Sequence, residues 1–219
     1  DKLIEQGKVL VNGQVAGMGQ QVEETDTVQV GKKILQGKQT QKVLAFYKPV
    51  GVTCTERDPH AEKKIMDMIR YPERLTYAGR LDKDSEGLIL LTNDGDLINA
   101  MMRGANRHEK EYIVKTDREI TPDFLEKMAK GIYLKDLDIT TRECEIEQIG
   151  KFTFRIVLTQ GVNRQIRRMC EACGYRVKAL KRIRIMNILL GDLKPGKWRE
   201  VTGEELEQLQ RDTGMLNRN

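Results

Sequence analysis

The chain is poor in the residues that build most metal and redox sites. Its 219 residues include two histidines and four cysteines. His60, His108, Cys54, Cys144, Cys170 and Cys173 do not fall into a spacing that would hold zinc. Cys170 and Cys173 form a lone CxxC. With Ile166 and Met169 they lie at helical spacing on one apolar stripe, which reads as core. Unpaired thiols suit a reducing, cytoplasmic setting. Aromatics make up only 5% of the chain. No apolar run reaches the roughly 20 residues of a membrane-spanning helix, and no signal-peptide pattern opens the printed sequence. Internal repeats and low-complexity segments are missing too. The stretch from Gly191 to Lys197 has the spacing of a phosphate-binding loop, but Trp198 stands where a Ser or Thr must be, so it reads as a Pro-Gly turn. Asp82, Asp84, Glu86 and Gly87 imitate the start of an EF-hand, yet Asn93 occupies the closing Glu position and a strand-like run follows the glycine. No metal and no cofactor are expected.

What the chain does have is charge. Charged residues make up 32%, the net charge is +5 and the pI is near 9.0. A positive balance of this kind suggests a polyanionic partner, most simply nucleic acid.

The most informative stretch runs from Ala78 to Gly95. Asp82 stands between Arg80 and Lys83, Asp84 to Gly87 are turn formers, and Leu88 to Leu91 is an unbroken apolar run suited to a strand buried on both faces. Asn93-Asp94-Gly95 ends that strand. A carboxylate is thereby fixed in a loop beside cations, which favour its charged form. The plain alternative is a loop Asp paired with Arg80.

Elsewhere, Lys2 to Glu5 reads as the end of a helix, Asn12-Gly13 as a hairpin turn and Val28 to Val30 as a strand. The polar stretch 31–41 is placed as a linker. Lys42 to Tyr47 is a strand, Lys63 to Arg70 an amphipathic helix with Ile65, Met66 and Ile69 on one face, and Gly95 opens a helix carrying Met101 and Met102. Arg103, Arg107 and Lys110 flank the next loop as candidate phosphate contacts, or as solvated charge. Glu111 to Lys115 is a strand carrying Tyr112. Thr121 caps a helix with Pro122 in its first turn. Thr140 to Ile149 and Phe152 to Leu158 form an antiparallel hairpin, with Phe152, Phe154, Ile156 and Leu158 on one face. Asn163 caps a helix over 164–172, on which Arg164 and Arg168 share an outer face. Strands follow at 176–180, 182–190 and 198–201. A helix over 202–210 closes the chain, with Glu205 in capping-box position. Interspersed helices and hairpins give an α+β fold with a mixed, mainly antiparallel sheet and flanking helices. The expected division is a small unit over 1–37, linker included, and a main domain over 38–219.

Several motifs in order carry a family resemblance. Gly79-Arg80-Leu81-Asp82 with Gly87-Leu88 and Thr92-Asn93-Asp94-Gly95 resembles the catalytic motif of the RNA pseudouridine synthases, in the RsuA-type branch. Lys48-Pro49-Val50-Gly51 resembles the family's first motif, Lys110 to Val114 its tyrosine motif, and Gln160 to Met169 its arginine motif. Glu56-Arg57-Asp58, Asn163-Arg164-Gln165 and Arg184-Ile185-Met186-Asn187 resemble members that act on large-subunit ribosomal RNA. The small first unit resembles the back half of an S4 RNA-binding domain, or else is a plain hairpin appendage.

The resemblance implies a cofactor-free isomerisation. The uridine C–N bond breaks, the base turns, and its C5 joins the sugar. Asp82 would be the catalytic carboxylate, as nucleophile, base or stabiliser of positive charge at C1′. Arg167 would pair with Asp82, and Tyr112 would stack on the uracil, although a strand tyrosine also serves as packing. Arg80 and Lys83 would fill the gap left by the flipped base or hold flanking phosphates. Asn163 belongs to the arginine motif, and Arg164 and Arg168 would meet the RNA backbone. The substrate would be a hairpin or irregular site of ribosomal RNA, because flipping costs least there. The chain is expected to be a monomer with no membrane association. A non-catalytic RNA-binding or ribosome-assembly protein would share the charge and the S4-like unit. A hydrolase with paired carboxylates would need a second, well-separated acid, which the clustered Asp82, Asp84 and Glu86 do not provide.

Overall fold

A computed structural model of the chain describes residues 1–23, 25–36, 40–55 and 64–216. Glu56-Arg57-Asp58, His60 and the expected helix start at Lys63 lie outside the described residues. The chain divides into two compact units, Asp1–Gln41 and Lys42–Asn219.

The first unit holds α1 (Lys2–Glu5), β1 (Val9–Val11), β2 (Gln14–Val15), β3 (Val28–Val30) and β4 (Lys33–Gln36). Asn12 and Gly13 both adopt positive φ, 51° and 80°. This is the geometry that lets a two-residue hairpin follow the strand twist. The sheet order is β2-β1-β3-β4. Val9, Val11 and Ala16 are its buried centre, with Ile4, Val28 and Val30 packed on them. The stretch read as a linker contains β4. Gly31, at φ 58°, turns the chain back, and Ile34 pairs with Gln29.

The second unit holds β5 (Val43–Lys48), α2 (Ile65–Met68), β6 (Thr76–Tyr77), β7 (Glu86–Thr92), α3 (Gly95–Met102), β8 (Lys110–Thr116), α4 (Pro122–Lys130), β9 (Tyr133–Leu134), β10 (Ile139–Thr140), β11 (Glu145–Gly150), β12 (Thr153–Leu158), α5 (Gln165–Ala172), β13 (Val177–Ile185), β14 (Ile188–Leu189), β15 (Trp198–Glu200) and α6 (Gly203–Asp212). Among the described residues its main sheet has nine strands. They run β11-β12-β8-β13-β7-β5-β15, with β14 on β13 and β6 on β7. β13 runs parallel to β7, while β5 and β7, β8 and β12, and β8 and β13 pair antiparallel. The fold is α+β with a mixed sheet.

The unbroken apolar runs of β5 and β7 have a direct cause: both strands are covered on both faces. Ala45, Tyr47, Leu88 and Leu90 face Leu97 and Met101 of α3 and Leu209 of α6. Leu44, Phe46, Ile89 and Leu91 face Ile65, Ile69, Leu75 and Leu81. In the other half of the sheet, Val114, Phe154 and Ile156 pack against Phe124 and Met128 of α4 and Ile166, Met169 and Cys170 of α5. The CxxC stripe therefore includes core residues. Thr121 caps α4 by accepting a hydrogen bond from the Phe124 N–H at 3.1 Å.

Several elements differ from the sequence reading. The helix expected over 63–70 is a single turn, α2. The strands expected over 176–180 and 182–190 are one strand, β13, followed by a tight return to β14 through Met186 at φ 53°. The run from Thr140 breaks between β10 and β11. There the Arg142 N–H donates to Gln160 Oε1 at 2.7 Å and its guanidinium to the Thr159 carbonyl at 2.7 Å, instead of to a neighbouring strand. Phe152 lies in the hairpin turn and is exposed, apart from the buried face of β12. Glu205 binds Arg199 at 2.6 Å, and Thr202 makes no side-chain cap.

Candidate active site

Asp82 sits in the segment between β6 and β7, and that segment is tied down from beneath. The buried Lys48 donates to the Ser85 carbonyl at 2.7 Å, the Pro49 carbonyl at 2.7 Å and the Lys83 carbonyl at 3.4 Å. The Gly51 N–H donates to the Lys83 carbonyl at 2.7 Å, and Ser85 N–H to the Asp82 carbonyl at 3.0 Å. The Cys54 thiol donates to the Leu81 carbonyl at 3.2 Å. Arg182 on β13 donates from Nε to the Leu88 carbonyl at 2.8 Å and from Nη1 to the Arg80 carbonyl at 3.3 Å. The Arg80, Leu81, Asp82, Lys83 and Ser85 carbonyls thus all find donors, as buried backbone must.

Gly87 makes this arrangement possible. It pairs with Arg182 across β7 and β13 at φ 113°, and a Cβ there would lie 2.2 Å from the Arg182 carbonyl oxygen. The glycine of the motif brings the strand carrying Arg182 against the loop carrying Asp82.

The loop forms one wall of a cleft of about 260 Å³. Arg80 and Asp82 line it from the loop, Lys110 and Tyr112 from β8, Asn163, Arg164, Gln165 and Arg167 from α5 and the turn before it, and Arg182 from β13. Of the residues singled out in the sequence, these come together. Lys83, Arg103, Arg107 and Arg168 do not line the cleft. Lys83, Arg103 and Arg107 are exposed. Arg168 donates to the Asn163 carbonyl at 2.9 Å and to its Oδ1 at 3.3 Å.

The ion pair of Asp82 differs from the expectation. Its Oδ2 lies 3.3 Å from Arg164 Nη1. Arg167 instead reaches Asp84, at 3.4 Å to its carboxylate and 3.1 Å to its carbonyl, and Ser85 Oγ at 3.1 Å. The cause is local. Arg164, not Asn163, is the residue before α5, and it adopts the left-handed conformation at φ 51°. The regular helical spacing that would have put Arg164 beside Arg168 therefore does not apply. Arg164 also grips both oxygens of Asp84 at 3.1 and 3.0 Å. These bonds hold the Asp84 carboxyl below the usual carboxylate range.

Burial pulls Lys48 down to about 8 despite the surrounding carboxylates. Burial and the nearby Arg182 charge lower Lys110 as well. Lys110 was read as a phosphate contact, but it lines the cleft itself. Sequence reasoning missed Cys54 and Arg182 as parts of this site, and took Lys48 and Gln165 only as members of motifs, with no role of their own. A signal existed for Arg182, a charged residue between Leu180 and Ile185 in a strand bearing buried residues. Lys48, by contrast, belongs to a motif whose turn character drew attention to the loop rather than to the amine.

A carboxylate paired with Arg164 thus lines one cleft together with a tyrosine and the buried Arg182. The comparisons agree with the geometry: residues 42–172 match the family model described as RNA pseudouridylate synthase, and the chain belongs to that family. It is an isomerase. It is 44% identical over 95% of its length to the dual-specificity RNA pseudouridine synthase RluF of Escherichia coli strain K12, covering 72% of that protein. It is 33% identical over 95% of its length to the ribosomal large subunit pseudouridine synthase B of Vibrio cholerae, covering 68% of it. A crystal structure of a pseudouridylate synthase superposes with a TM-score of 0.73 at 27% identity, over 95% of this chain and 91% of that one.

Proposed function

We propose that the protein converts a uridine of ribosomal RNA, most specifically of the large subunit, to pseudouridine. The carrying observation is Asp82, fixed by its loop at the cleft wall, 3.3 Å from Arg164 and in the same cleft as Tyr112. The target base leaves its stack and enters the cleft. Asp82 acts at C1′ while the C1′–N1 bond breaks. The base turns, C5 bonds to C1′, and the C5 proton leaves as N1 gains one. Tyr112 stacks on the uracil and offers a hydroxyl for proton movement. Arg164 fixes the Asp82 carboxylate, and Arg167 fixes the turn behind it. No cofactor is needed, because nothing is oxidised and no group leaves the molecule.

The exposed Arg80, Lys83, Arg103 and Arg107 supply phosphate contacts around the cleft, with Arg168 and Asn163 bracing the rim. The first unit serves as an S4-like RNA contact. The protein works as a monomer in the cytoplasm, where ribosomal RNA is made and modified.

The test uses ribosomal RNA fragments tritiated at uridine C5, the hydrogen lost in the reaction. The chain is expected to release tritium into water and Asp82→Asn to release none. Release by both would remove Asp82 from the chemistry. Release by neither, with RNA still bound, would favour the binding-protein reading.

A further inference from the structure

Arg182 is a buried charge without a counter-charge. It is 3% exposed, and among the described residues no carboxylate lies within ion-pair distance of it. Its Nε and Nη1 hold the Leu88 and Arg80 carbonyls, while Nη2 is buried with no hydrogen-bond partner. Guanidinium cannot shed its proton in a protein. An unpaired buried charge costs several kcal/mol or so, and a fold would not retain it for the two carbonyls alone, which neutral donors could satisfy. Lys110, which lines the same cleft from the neighbouring strand, has its charged form disfavoured by burial first and by the Arg182 charge second. Opposite Tyr112 in the β8–β13 register and lining the cleft with Asp82, it faces the space that the proposed function gives to the uracil.

From this placement we infer that Arg182 stabilises the negative charge that develops on the uracil as the C1′–N1 bond breaks. The inference rests on the reading of the cleft as the uridine site. Heterolysis sends the bonding electron pair to N1, and the charge spreads to the O2 and O4 carbonyls, while C1′ becomes positive. Asp82 is the anion for the sugar, and Arg182 is the cation for the base. Both are set before the reaction begins, so neither must reorganise as charge separates, which is the condition for strong electrostatic catalysis. Gly87 is part of the device, because any side chain there would push Arg182 away from the loop.

The experiment compares Arg182→Met, which keeps an unbranched stem without the charge, with Arg182→Lys, which keeps the charge. Single-turnover tritium release is measured on RNA carrying uridine or 4-thiouridine at the target. Thiouracil is the better leaving group and needs less help from a cation. On uridine, Arg182→Met is expected to react about 100-fold or more slowly than the unaltered chain, with RNA affinity changed less than about threefold. Arg182→Lys should recover about a tenth of the rate or better. On 4-thiouridine the deficit of Arg182→Met should shrink at least about fivefold. The inference is overturned by an unchanged rate, by equal deficits on both RNAs, or by a loss of RNA affinity that matches the loss of rate. If Arg182→Met does not fold, the same pair of RNAs is read with Arg182→Lys, whose smaller deficit must also be larger on uridine. No release from uridine RNA by the unaltered chain would instead defeat the proposed function.

Discussion

Lys48 carries its amine where no solvent reaches it, at 0% exposure, and it holds the Lys83 and Ser85 carbonyls of the segment carrying Asp82 as well as the Pro49 carbonyl of its own loop. Burial depresses its pKa to about 8 in the fold, from 10.5. Between those values the unfolded chain binds more protons than the native one, so this group makes folding more favourable as pH rises through the window. Relative to Lys48→Met, the wild-type chain should gain on the order of 2 kcal/mol between pH 7 and pH 10. Urea melts at the two pH values measure it, and a flat difference would refute the assignment. Arg164 raises a second residue-scale point. Its fork spans Asp82 and Asp84, which a lysine's point charge cannot reproduce. Arg164→Lys is expected to slow single-turnover tritium release about tenfold or more while leaving RNA affinity near its starting value.

At the scale of elements, the β7–β13 pair joins the halves of the sheet and carries the site. Gly87→Ala would place a methyl 2.2 Å from one backbone atom of Arg182 and 2.7 Å from another, at a φ of 113°. Neither strand can yield without breaking the pairing. A loss of about 3 kcal/mol or more is expected from overpacking and backbone strain together, read by denaturant unfolding. Gly79, also at positive φ, meets only Met102 Sδ at 3.5 Å, a flexible neighbour. Its replacement by Ala should cost less than that of Gly87. The cap of α4 is an independent control: Thr121→Ala should cost about 1 kcal/mol without changing the catalytic rate.

For the whole molecule, the net charge of +5 predicts association with RNA that is largely electrostatic. Affinity should fall on the order of 10- to 100-fold between 50 and 200 mM salt, as phosphate contacts give up their counterion release. Titration of fluorescent RNA at several salt concentrations gives the slope, and a flat response would argue against the arginine and lysine rim. The proposed monomer predicts a solution mass near 25.2 kDa that does not change with concentration, and light scattering checks it.

The sequence by itself determined the elements with strong local chemistry. Asn12-Gly13 specified a hairpin because both residues accept positive φ. Thr121-Pro122 specified a helix start. The apolar run of Leu88 to Leu91 specified a doubly covered strand. The ordered motifs brought Asp82, Tyr112 and Arg167 to notice as candidates, through their resemblance to the motifs of the family. Tertiary structure alone decided which charges meet. Arg164 reaches Asp82 only because the chain turns left-handed just before α5, a conformation that helical spacing cannot anticipate. Arg182 and Lys48 belong to the site through carbonyls 94 and 37 residues away along the chain. A residue's pattern along a strand tells which face it takes. Whether that face holds a packing partner, a carbonyl or an unpaired charge depends on the strand that arrives beside it.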